Sequence, residues 1–563
     1  MAFSKKFAAA LAVAATAGLV LSACGNSKHE DTETTTPPAA DETAAAETTP
    51  ATGDEAGDET EAAGGDETLT GAAKVLADAG VATPVALTIQ YNPDHYGDAS
   101  AEEYGAIKEQ LEETGLFTVT LNSTEWVTYS QERIANYSIY QLGWFPDYPD
   151  ADNYLSVFFS KDNFLGNKFD EPAVQALIDE QRVTTDEAAR AELISQLQSL
   201  VAEYLPTLPL LQGRQVAVIG TNVNEPPVLD ASFQFRFANI QKDNDPTAVV
   251  KVGTTDMVTS LDPAGSYDNG SYLVQTNVYP MVLSFAPGNP VPTPELAESC
   301  EFSEDGATYT CKIKDGLKWA NGNTLDANDV KFTFDRQLTI ADPEGPSSLL
   351  GSLDSVTVPD PLTVEFHLNA PNDVTWEQIL ASPVGPVVDD EVFSATELTP
   401  DADIVAANAF AGAYTIKTWK INEVAEFTPN PDYAGVQGTP QNGGIIMTYY
   451  KESSNMRLNI ESGEDDVAWR SLTATDIASL ESSDAVEVVY GPGGEIRYIV
   501  FNVETMPGDT PEQKLAIRQA IAMSIDRDEL SEVVYAGTYS PLCSYVPEGL
   551  PGANTAVCDL YNQ

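Results

Sequence analysis

The residues best suited to bind a ligand lie in one loop, which runs from Gly143 to Tyr154. The loop contains two prolines, three aspartates and several aromatic side chains, and Asp147 stands near its start. Aromatic rings can cover apolar groups, the backbone of such a loop can pair with an extended chain, and a carboxylate can bind an amine. This combination predicts a ligand-binding loop, and the competing interpretation is an acidic surface turn.

The elements before this loop predict how it is held. The segment 137–142 alternates in polarity like a strand and leads directly into the loop. Earlier in the chain, 85–91 and 117–121 also have strand patterns, and an amphipathic helix is predicted between them over 101–114. Strand, helix and strand in this order predict an α/β architecture with a largely parallel sheet.

Composition and charge exclude several classes of function. The chain has 563 residues, 42% of them hydrophobic, and is predicted to form two or three globular domains. Its net charge of −58 argues against nucleic acid and anionic lipid as partners, because both would be repelled. The three histidines are scattered, and no Cys-x-x-Cys or Gly-x-Ser-x-Gly motif is present. We therefore predict no catalytic residue, no metal site and no cofactor.

The first 24 residues are typical of a lipoprotein signal peptide. Two lysines and a run rich in Ala, Val and Leu precede the tetrapeptide Leu-Ser-Ala-Cys at 21–24, which resembles a bacterial lipobox. We expect the mature protein to begin at Cys24, with lipid on the sulfur and the amine. Residues 25–70 have almost no large apolar side chain, so we expect a disordered acidic tether.

The remaining four cysteines are expected outside the cytoplasm and therefore in disulfides. Residues 301–310 are predicted to form a hairpin with a type I′ turn at 305–306. The cysteines on either side would then face each other across the hairpin, and the two left over would pair. The expected disulfides are Cys300–Cys311 and Cys543–Cys558.

One motif in the loop resembles a known family. Trp144 and Asp147 match, residue by residue, the Trp-x-x-Asp motif of the extracellular solute-binding proteins, family 5. That family comprises the oligopeptide- and dipeptide-binding lipoproteins of ABC importers, and its Asp pairs with the α-amino group of the bound peptide. The resemblance therefore implies that Asp147 anchors a peptide amine.

Further segments resemble the same family, and the most specific is the long signature at 314–334. Physically this signature reads as a strand, an Asn-Gly turn and a helix with Asp326 near its start. The segment 411–414 stands where the family has Gly-x-Gly-x-Tyr. Ala411 and Ala413 depart from the family's usual residues there. The other matching segments are 430–433, 462–467 and 518–527.

The order of these segments is rotated relative to the family. The segment 232–237, predicted as a strand, resembles the end of the family's sequence, whereas 249–264 resembles its beginning. No motif is duplicated. We therefore interpret the chain as a circular permutation, in which a linker at 242–247 joins the family's original termini.

The resemblance implies a two-lobed α/β fold of the periplasmic-binding-protein-like type II class, circularly permuted and with an extra small subdomain. We expect the first lobe, with the subdomain, over 209–439. The second lobe would combine 71–208, the family's C-terminal portion, with 440–563. The hinge would consist of two crossings, near 205–210 and 435–442.

A cleft between two hinged lobes binds its ligand by closure. The candidate ligand-binding residues flank Asp147 or lie on matching loops of the opposite lobe, and Arg470 is the candidate partner for a ligand carboxylate. For the residues other than Asp147, the alternative is an aromatic packing position or a solvated charge. The candidates are Gly143, Trp144, Phe145, Asp147, Tyr148, Tyr267, Asp268, Trp469 and Arg470.

The resemblance implies a substrate-binding lipoprotein that captures extracellular peptides and delivers them to an ABC permease. It would act as a monomer on the extracellular face of the bacterial cytoplasmic membrane, held there by its N-terminal lipid. Two alternatives stay open: a binding protein for another solute, such as an oligosaccharide or a metal chelate, and an extracellular hydrolase. The lack of a nucleophile–base constellation disfavours the hydrolase.

Overall fold

The computed structural model describes residues 71–560, apart from 94, 97, 98, 162, 233, 372 and 471. The predicted signal peptide over 1–24, the lipidation site Cys24 and the predicted tether over 25–70 lie outside these residues. Among the helices in the described part of the chain, none has the length and apolar character needed to cross a bilayer.

The described residues form a mixed α/β structure with two large sheets, one four-stranded antiparallel sheet and two two-stranded sheets. The strands, in chain order, are β1 Val85–Tyr91, β2 Phe117–Ser123, β3 Ile139–Trp144, β4 Thr207–Gly213, β5 Gln215–Gly220, β6 Val223–Glu225, β7 Gln241–Lys242, β8 Val249–Thr254, β9 Leu283–Phe285, β10 Pro292–Pro294, β11 Ala297–Phe302, β12 Thr308–Ile313, β13 Leu353–Asp360, β14 Thr363–Leu368, β15 Tyr414–Lys420, β16 Val424–Pro429, β17 Gly444–Tyr449, β18 Val467–Trp469, β19 Val486–Gly491, β20 Ile496–Phe501 and β21 Tyr539–Pro541.

Helices cover the faces of these sheets. The helices, in chain order, are α1 Gly71–Asp78, α2 Ala99–Glu113, α3 Trp126–Asn136, α4 Asp152–Phe159, α5 Pro172–Gln181, α6 Glu187–Tyr204, α7 Asn269–Val278, α8 Ala327–Ile340, α9 Trp376–Leu380, α10 Asp401–Ala407, α11 Ser453–Ser462, α12 Ala474–Leu480, α13 Pro511–Met523 and α14 Arg527–Tyr535. Short 3-10 helices lie at Pro263–Gly265, Pro346–Ser352 and Thr555–Leu560.

The first large sheet combines strands from both ends of the described chain, in the order β2-β1-β3-β20-β4-β21. We call this part, 71–213 and 496–560, the terminal lobe. Strand β20 lies antiparallel between β3 and β4 and is buried along its whole length. Its side chains alternate between two apolar clusters, with Ile499 and Phe501 in one and Tyr498 and Val500 in the other. The apolar run over 498–501 is therefore required, because both faces of the sheet are covered.

The second large sheet has seven strands in the order β15-β16-β17-β8-β18-β5-β19. We call the part of the chain over 215–491 the central lobe. Strand β8 lies at the centre of this sheet, parallel to β17 on one side and to β18 on the other. Its Val250 and Val252 are fully buried in the core of the lobe. A four-stranded antiparallel sheet, β11-β12-β14-β13, packs against the same core as a subdomain.

The chain crosses between the lobes at positions that differ from the prediction. Strand β4 ends at Gly213 in one sheet and β5 begins at Gln215 in the other, while the return crossing runs from Gly491 to Ile496. The sequence predicts these crossings near 205–210 and 435–442. Because the return crossing lies later in the chain, β17, β18 and β19, which the sequence prediction places in the second lobe, lie in the central-lobe sheet. Their partners are β8 and β5, and sequence order alone does not reveal such distant pairing.

The predicted strands and helix that lead to the binding loop are confirmed as β1, α2, β2 and β3. The predicted strand over 232–237 is wrong, because no described residue of this segment belongs to a strand. Phe235 and Phe237 are buried, which produces the alternating pattern, but Arg236 pairs with Asp230 at 3.2 Å. The same guanidinium donates to the side chain of Gln234 at 2.7 Å, so a local polar network fixes an irregular backbone.

Both predicted disulfides are present, Cys300–Cys311 and Cys543–Cys558. The first joins facing residues of β11 and β12, as the hairpin predicted. The type I′ turn, however, is wrong, because only Gly306 of the central pair has a left-handed backbone, with φ +67°. The backbone N–H of Gly306 bonds the carbonyl of Ser303, and the Ser303 hydroxyl accepts from Thr308 N–H. This longer turn keeps the same register.

Candidate functional site

The binding loop begins where β3 leaves the terminal-lobe sheet. Gly143, next to the end of β3, faces Arg497 of β20. A Cβ atom at Gly143 would lie 3.0 Å from Cε1 of Tyr96 and 3.2 Å from the carbonyl oxygen of Ile496. Gly143 therefore leaves room for the Tyr96 ring, and it lines neither of the two cleft cavities described below.

Asn153, in the first turn of α4, connects both residues of the Trp-x-x-Asp motif. Its Oδ1 accepts the indole N–H of Trp144 at 3.0 Å and the backbone N–H of Asp147 at 3.0 Å. Its Nδ2 donates to Oδ2 of Asp147, also at 3.0 Å. The Trp144 ring packs edge-on against Phe158 of the terminal-lobe core, with centroids 5.2 Å apart. Trp144 thus holds the loop from behind.

The Asp147 carboxylate is contacted from both lobes. Asn153 of the terminal lobe donates to one oxygen, and the hydroxyl of Tyr267 in the central lobe donates to the other, Oδ1. Tyr148 also reaches across, because its ring packs against the apolar core of the central lobe. The candidate anchor therefore lies where the two lobes meet.

The rest of the loop is fixed by a buried ion pair. Arg190 of α6 donates from both terminal nitrogens to Asp150, at 2.8 and 2.6 Å. The neighbouring Asp152 is buried, accepts from Gln181 and lies 3.8 Å from Arg182. Burial raises the pKa of the Asp152 carboxyl, and Arg182 opposes the shift. The aspartates after Asp147 are therefore structural, which leaves Asp147 as the loop's carboxylate in the cleft.

Two cavities lie between the lobes and share the exposed ring of Phe145. The first, which we call the anchor cavity, has a volume of about 250 Å³ and contains Asp147. Of the candidate residues named from the sequence, those that line it are Phe145, Asp147, Tyr148, Tyr267 and Asp268. The second, the hinge-side cavity, has a volume of about 270 Å³ and is bounded by both crossings. Of the candidate residues named from the sequence, those that line it are Phe145, Trp469 and Arg470.

Two aromatic side chains in the cleft are unusually accessible. Phe145 is 48% exposed and Tyr267 is 40% exposed, although each stands beside Asp147. Large apolar side chains that stay accessible inside a cleft are typical of surfaces that a ligand covers. Partial burial and then the charge of Asp147 raise the pKa of the Tyr267 hydroxyl, so Tyr267 remains a neutral hydrogen-bond donor.

Asp268, the second acidic residue of the anchor cavity, also has a local role. It precedes α7, and its carboxylate accepts the backbone N–H of Ser271 at 2.8 Å and the Ser271 hydroxyl at 2.8 Å. This is the geometry of a helix N-cap. Asp268, which the sequence predicts as a ligand-binding residue, thus lines the cavity with a carboxylate that already accepts two hydrogen bonds from Ser271.

In the hinge-side cavity Arg470 is paired within its own lobe. Its Nε lies 2.9 Å from Oδ2 of Asp256, a residue that the sequence analysis did not identify. Burial raises the pKa of the Asp256 carboxyl, and Arg470 opposes that shift. The guanidinium carbon lies 6.0 Å from the Phe145 ring of the opposite lobe and 5.7 Å from the Trp469 ring. Arg470 therefore links the two lobes as well as lining the cavity.

Trp469 is 3% exposed and stacks at a tilt on Phe235, with centroids 4.6 Å apart. Its indole N–H is buried and has no hydrogen-bond partner among the described residues. A buried donor without a partner costs free energy. The hinge-side cavity thus offers the guanidinium of Arg470 to an acceptor group.

A group of carboxylates outside the cleft could in principle hold a metal ion. Oxygens of Asp329, Asp389 and Asp390 lie within 4.8 Å of one another. Asp329, however, accepts the backbone N–H groups of Asp326 and Asp390 and the indole N–H of Trp319. Burial raises its pKa to about 7. These bonds give Asp329 a structural role at the start of α8.

The sequence is similar to a known protein family and to individual members of it. The sequence profile of the bacterial extracellular solute-binding proteins, family 5 (middle), matches residues 28–166 and 291–561. A probable D,D-dipeptide-binding periplasmic protein of Escherichia coli is 25% identical over 330 residues, which cover 58% of this chain and 61% of the relative. A glutathione-binding protein of Salmonella paratyphi A is 27% identical over 309 residues, covering 54% and 57%.

Among solved structures, the oligopeptide-binding protein of Bacillus subtilis in complex with a nonapeptide superposes with a TM-score of 0.37 at 21% identity. That superposition covers 43% of this chain and 47% of the other. The chain spans about three fifths of the two curated relatives given above. The profile match covers most of the sequence, and the chain belongs to family 5 of the bacterial extracellular solute-binding proteins.

Proposed function

We propose that this protein captures peptides in the cleft between its lobes and that Asp147 binds the peptide's amino group. The observation that carries this proposal is the placement of Asp147. Its carboxylate lies at the contact between the lobes, beside the accessible rings of Phe145 and Tyr267. A cationic amine placed there gains a charge-assisted hydrogen bond in a partly desolvated site. Apolar ligand groups would cover the two rings.

The two cavities suit a short, polar ligand that extends from Asp147 past Phe145. One end of this path offers the Asp147 carboxylate, and the other offers the Arg470 guanidinium. A free peptide carries an amine at one end and a carboxylate at the other, so its charges match this polarity. Relatives whose names specify a D,D-dipeptide and glutathione support the same class of ligand.

Membership of the family supports a role in transport. We propose that the loaded protein delivers its peptide to an ABC permease on the extracellular face of the cytoplasmic membrane. The lipobox-like 21–24 and the acidic segment 25–70 support a monomer tethered to that membrane by lipid on Cys24. Closure of the lobes around the peptide would produce the surface that the permease recognises.

We also propose that the chain is circularly permuted relative to its family. The motif order supports this interpretation, and so does the pairing of β20 and β21 with strands from the other end of the chain. Val557 and Leu76 belong to the same apolar cluster of the terminal lobe. The proposed linker forms a tight turn, in which Asp245 N–H bonds the carbonyl of Lys242 at 3.0 Å.

Ligand carried through purification gives the first test. Native mass spectrometry of the purified protein is expected to show bound peptides, and calorimetry with a tripeptide library is expected to show binding without turnover. N-acetylation of the library should abolish most of the binding. Copurified oligosaccharide or metal chelate would replace peptide as the ligand class, and time-dependent cleavage of the library would favour the hydrolase.

A further inference from the structure

We infer that Asn153 is a positioning residue for the amine site, because it holds the Asp147 carboxylate directed into the cleft. The inference rests on the proposed role of Asp147 in binding a peptide amine. Asn153 is 2% exposed and lies behind the loop, so it acts on the ligand only through Asp147.

The hydrogen bonds of Asn153 fix both the loop backbone and the carboxylate. Its Oδ1 accepts two N–H groups, from the Trp144 indole and from the Asp147 backbone, while Nδ2 donates to Asp147 Oδ2. The two donors on one side and the carboxylate on the other leave only one orientation of the amide that satisfies all three bonds. Asn153 therefore sets the side-chain direction of Asp147 relative to its own backbone.

Among the described residues, the donor to the other oxygen of Asp147 is the Tyr267 hydroxyl, which belongs to the opposite lobe. In an open cleft Tyr267 would move away with its lobe, and Asn153 would still hold Asp147. The terminal lobe thus presents an aligned carboxylate before closure, which reduces the ordering cost of binding an amine.

The chemistry distinguishes this role from packing alone. Asn153→Leu has a similar volume but removes the donor to Asp147, so the carboxylate becomes free to rotate. Asn153→Asp keeps an acceptor for the Trp144 and Asp147 N–H groups but replaces the amide donor with a second carboxylate. Like charges at this distance cannot both ionise easily, so the pair is expected to share a proton.

The test measures one ratio, the affinity for a free-amine tripeptide library divided by that for its N-acetylated counterpart. Asn153→Leu should lower this ratio roughly 10- to 100-fold, the usual range for a lost bond to a charged group. The matched control is Asn167→Leu, because Asn167 is a fully buried amide of the same lobe whose side chain bonds to the backbone of Pro206 and Phe169. Asn167→Leu should lose stability and keep the wild-type ratio.

A second variant keeps the inference testable if Asn153→Leu does not fold. In Asn153→Asp the ratio should match wild type at about pH 5.5, where a protonated carboxyl can donate to Asp147, and should depart from it towards about pH 7. An unchanged ratio in a folded Asn153→Leu, or a wild-type ratio at every pH in Asn153→Asp, would overturn the inference. If wild type itself shows no preference for the free amine, the proposed function fails instead.

Discussion

Arg470 and Asp256 form an ion pair across the wall of the hinge-side cavity, with Nε and Oδ2 2.9 Å apart. Asp256 is largely buried, so removing its partner leaves an uncompensated charge. We expect Arg470→Met to lower stability by about 3 kcal/mol or less, since the side chain is partly exposed. The double variant Arg470→Met with Asp256→Asn should recover most of that loss in thermal unfolding.

Variants of the same ion pair also test whether Arg470 binds ligand in addition to its structural role. If Arg470 also meets a ligand carboxylate, wild type should prefer peptides with a free C-terminus over their amides. Neither the single nor the double variant should keep that preference, although the double variant is stable. Equal binding of acid and amide by wild type would remove Arg470 from the ligand site and leave it a structural residue.

Asp147→Ala should weaken peptide binding by roughly 10²–10³-fold, the cost of an unpaired buried charge. The side chain lies in the cleft, so thermal stability should change little. N-acetylation of the peptide should weaken binding to wild type by a similar factor and have little effect on the variant. Calorimetry with the four combinations of protein and peptide gives the coupling directly. Equal affinities of wild type for free and acetylated peptides would refute the assignment.

Tyr267→Phe should loosen the closed form, because it removes the hydroxyl that joins the central lobe to Asp147. We expect faster peptide dissociation and a larger radius of gyration without ligand, measured by stopped-flow fluorescence and small-angle scattering. The preference for a free amine should remain, since Asp147 is intact. Tyr272→Phe is the control: Tyr272 lines the same cavity, but its hydroxyl donates to Ala381 of its own lobe at 2.9 Å. A radius that changes equally in both variants would contradict this role.

Stability should increase as the pH falls from about 8 to about 5.5. Burial raises the pKa of Asp329 to about 7, and burial also raises the pKa values of Glu103 and Glu295. The folded state then binds more protons than the unfolded state between the two pKa values, so the stability contribution present at low pH is lost as the pH rises. Asp329→Asn should flatten the dependence of melting temperature on pH. A melting temperature that rises towards pH 8 would contradict this assignment.

Restoring the family's order of segments should preserve the fold. A gene that opens the chain between Asp243 and Asn244, and joins 560 to 71 through a flexible linker of about ten residues, should yield a protein with similar unfolding temperature and peptide affinity. The control opens the chain inside β20, between Tyr498 and Ile499, which cuts a central strand. If the restored order does not fold and the control does, the permutation is wrong.

Local sequence patterns predicted the strands around the binding loop and the Cys300–Cys311 register, because alternation and a short turn are decided by neighbouring residues. The central-lobe position of β18 was not predictable in the same way. Its partners, β8 and β5, are more than two hundred residues away in sequence, and nothing in a three-residue apolar run specifies them. The non-strand conformation at 232–237 depends likewise on the contact of Arg236 with Asp230, which replaces the ladder that the Phe pattern suggests.

The sequence predicted which loops form the site but not the contacts between their side chains. Most of its candidate residues line the two cavities, because strand ends and motif positions decide which segments face the cleft. Asn153 was missed because an Asn in the first turn of a helix is ordinary, and its role shows only in its three hydrogen bonds to Trp144 and Asp147. Asp256 was missed because its ion pair with Arg470 joins residues that are far apart in the sequence.

The position of β20 at the centre of the terminal-lobe sheet has a consequence for biogenesis. Residues 71–213 emerge from the ribosome and the export machinery long before β20 does, and without it β3 and β4 have unpaired edges. The central lobe, which is continuous in sequence, can complete its own sheet during that interval. The terminal lobe must wait for the last part of the chain, so the strand edges of its first half stay unpaired for longest and are the ones most exposed to aggregation.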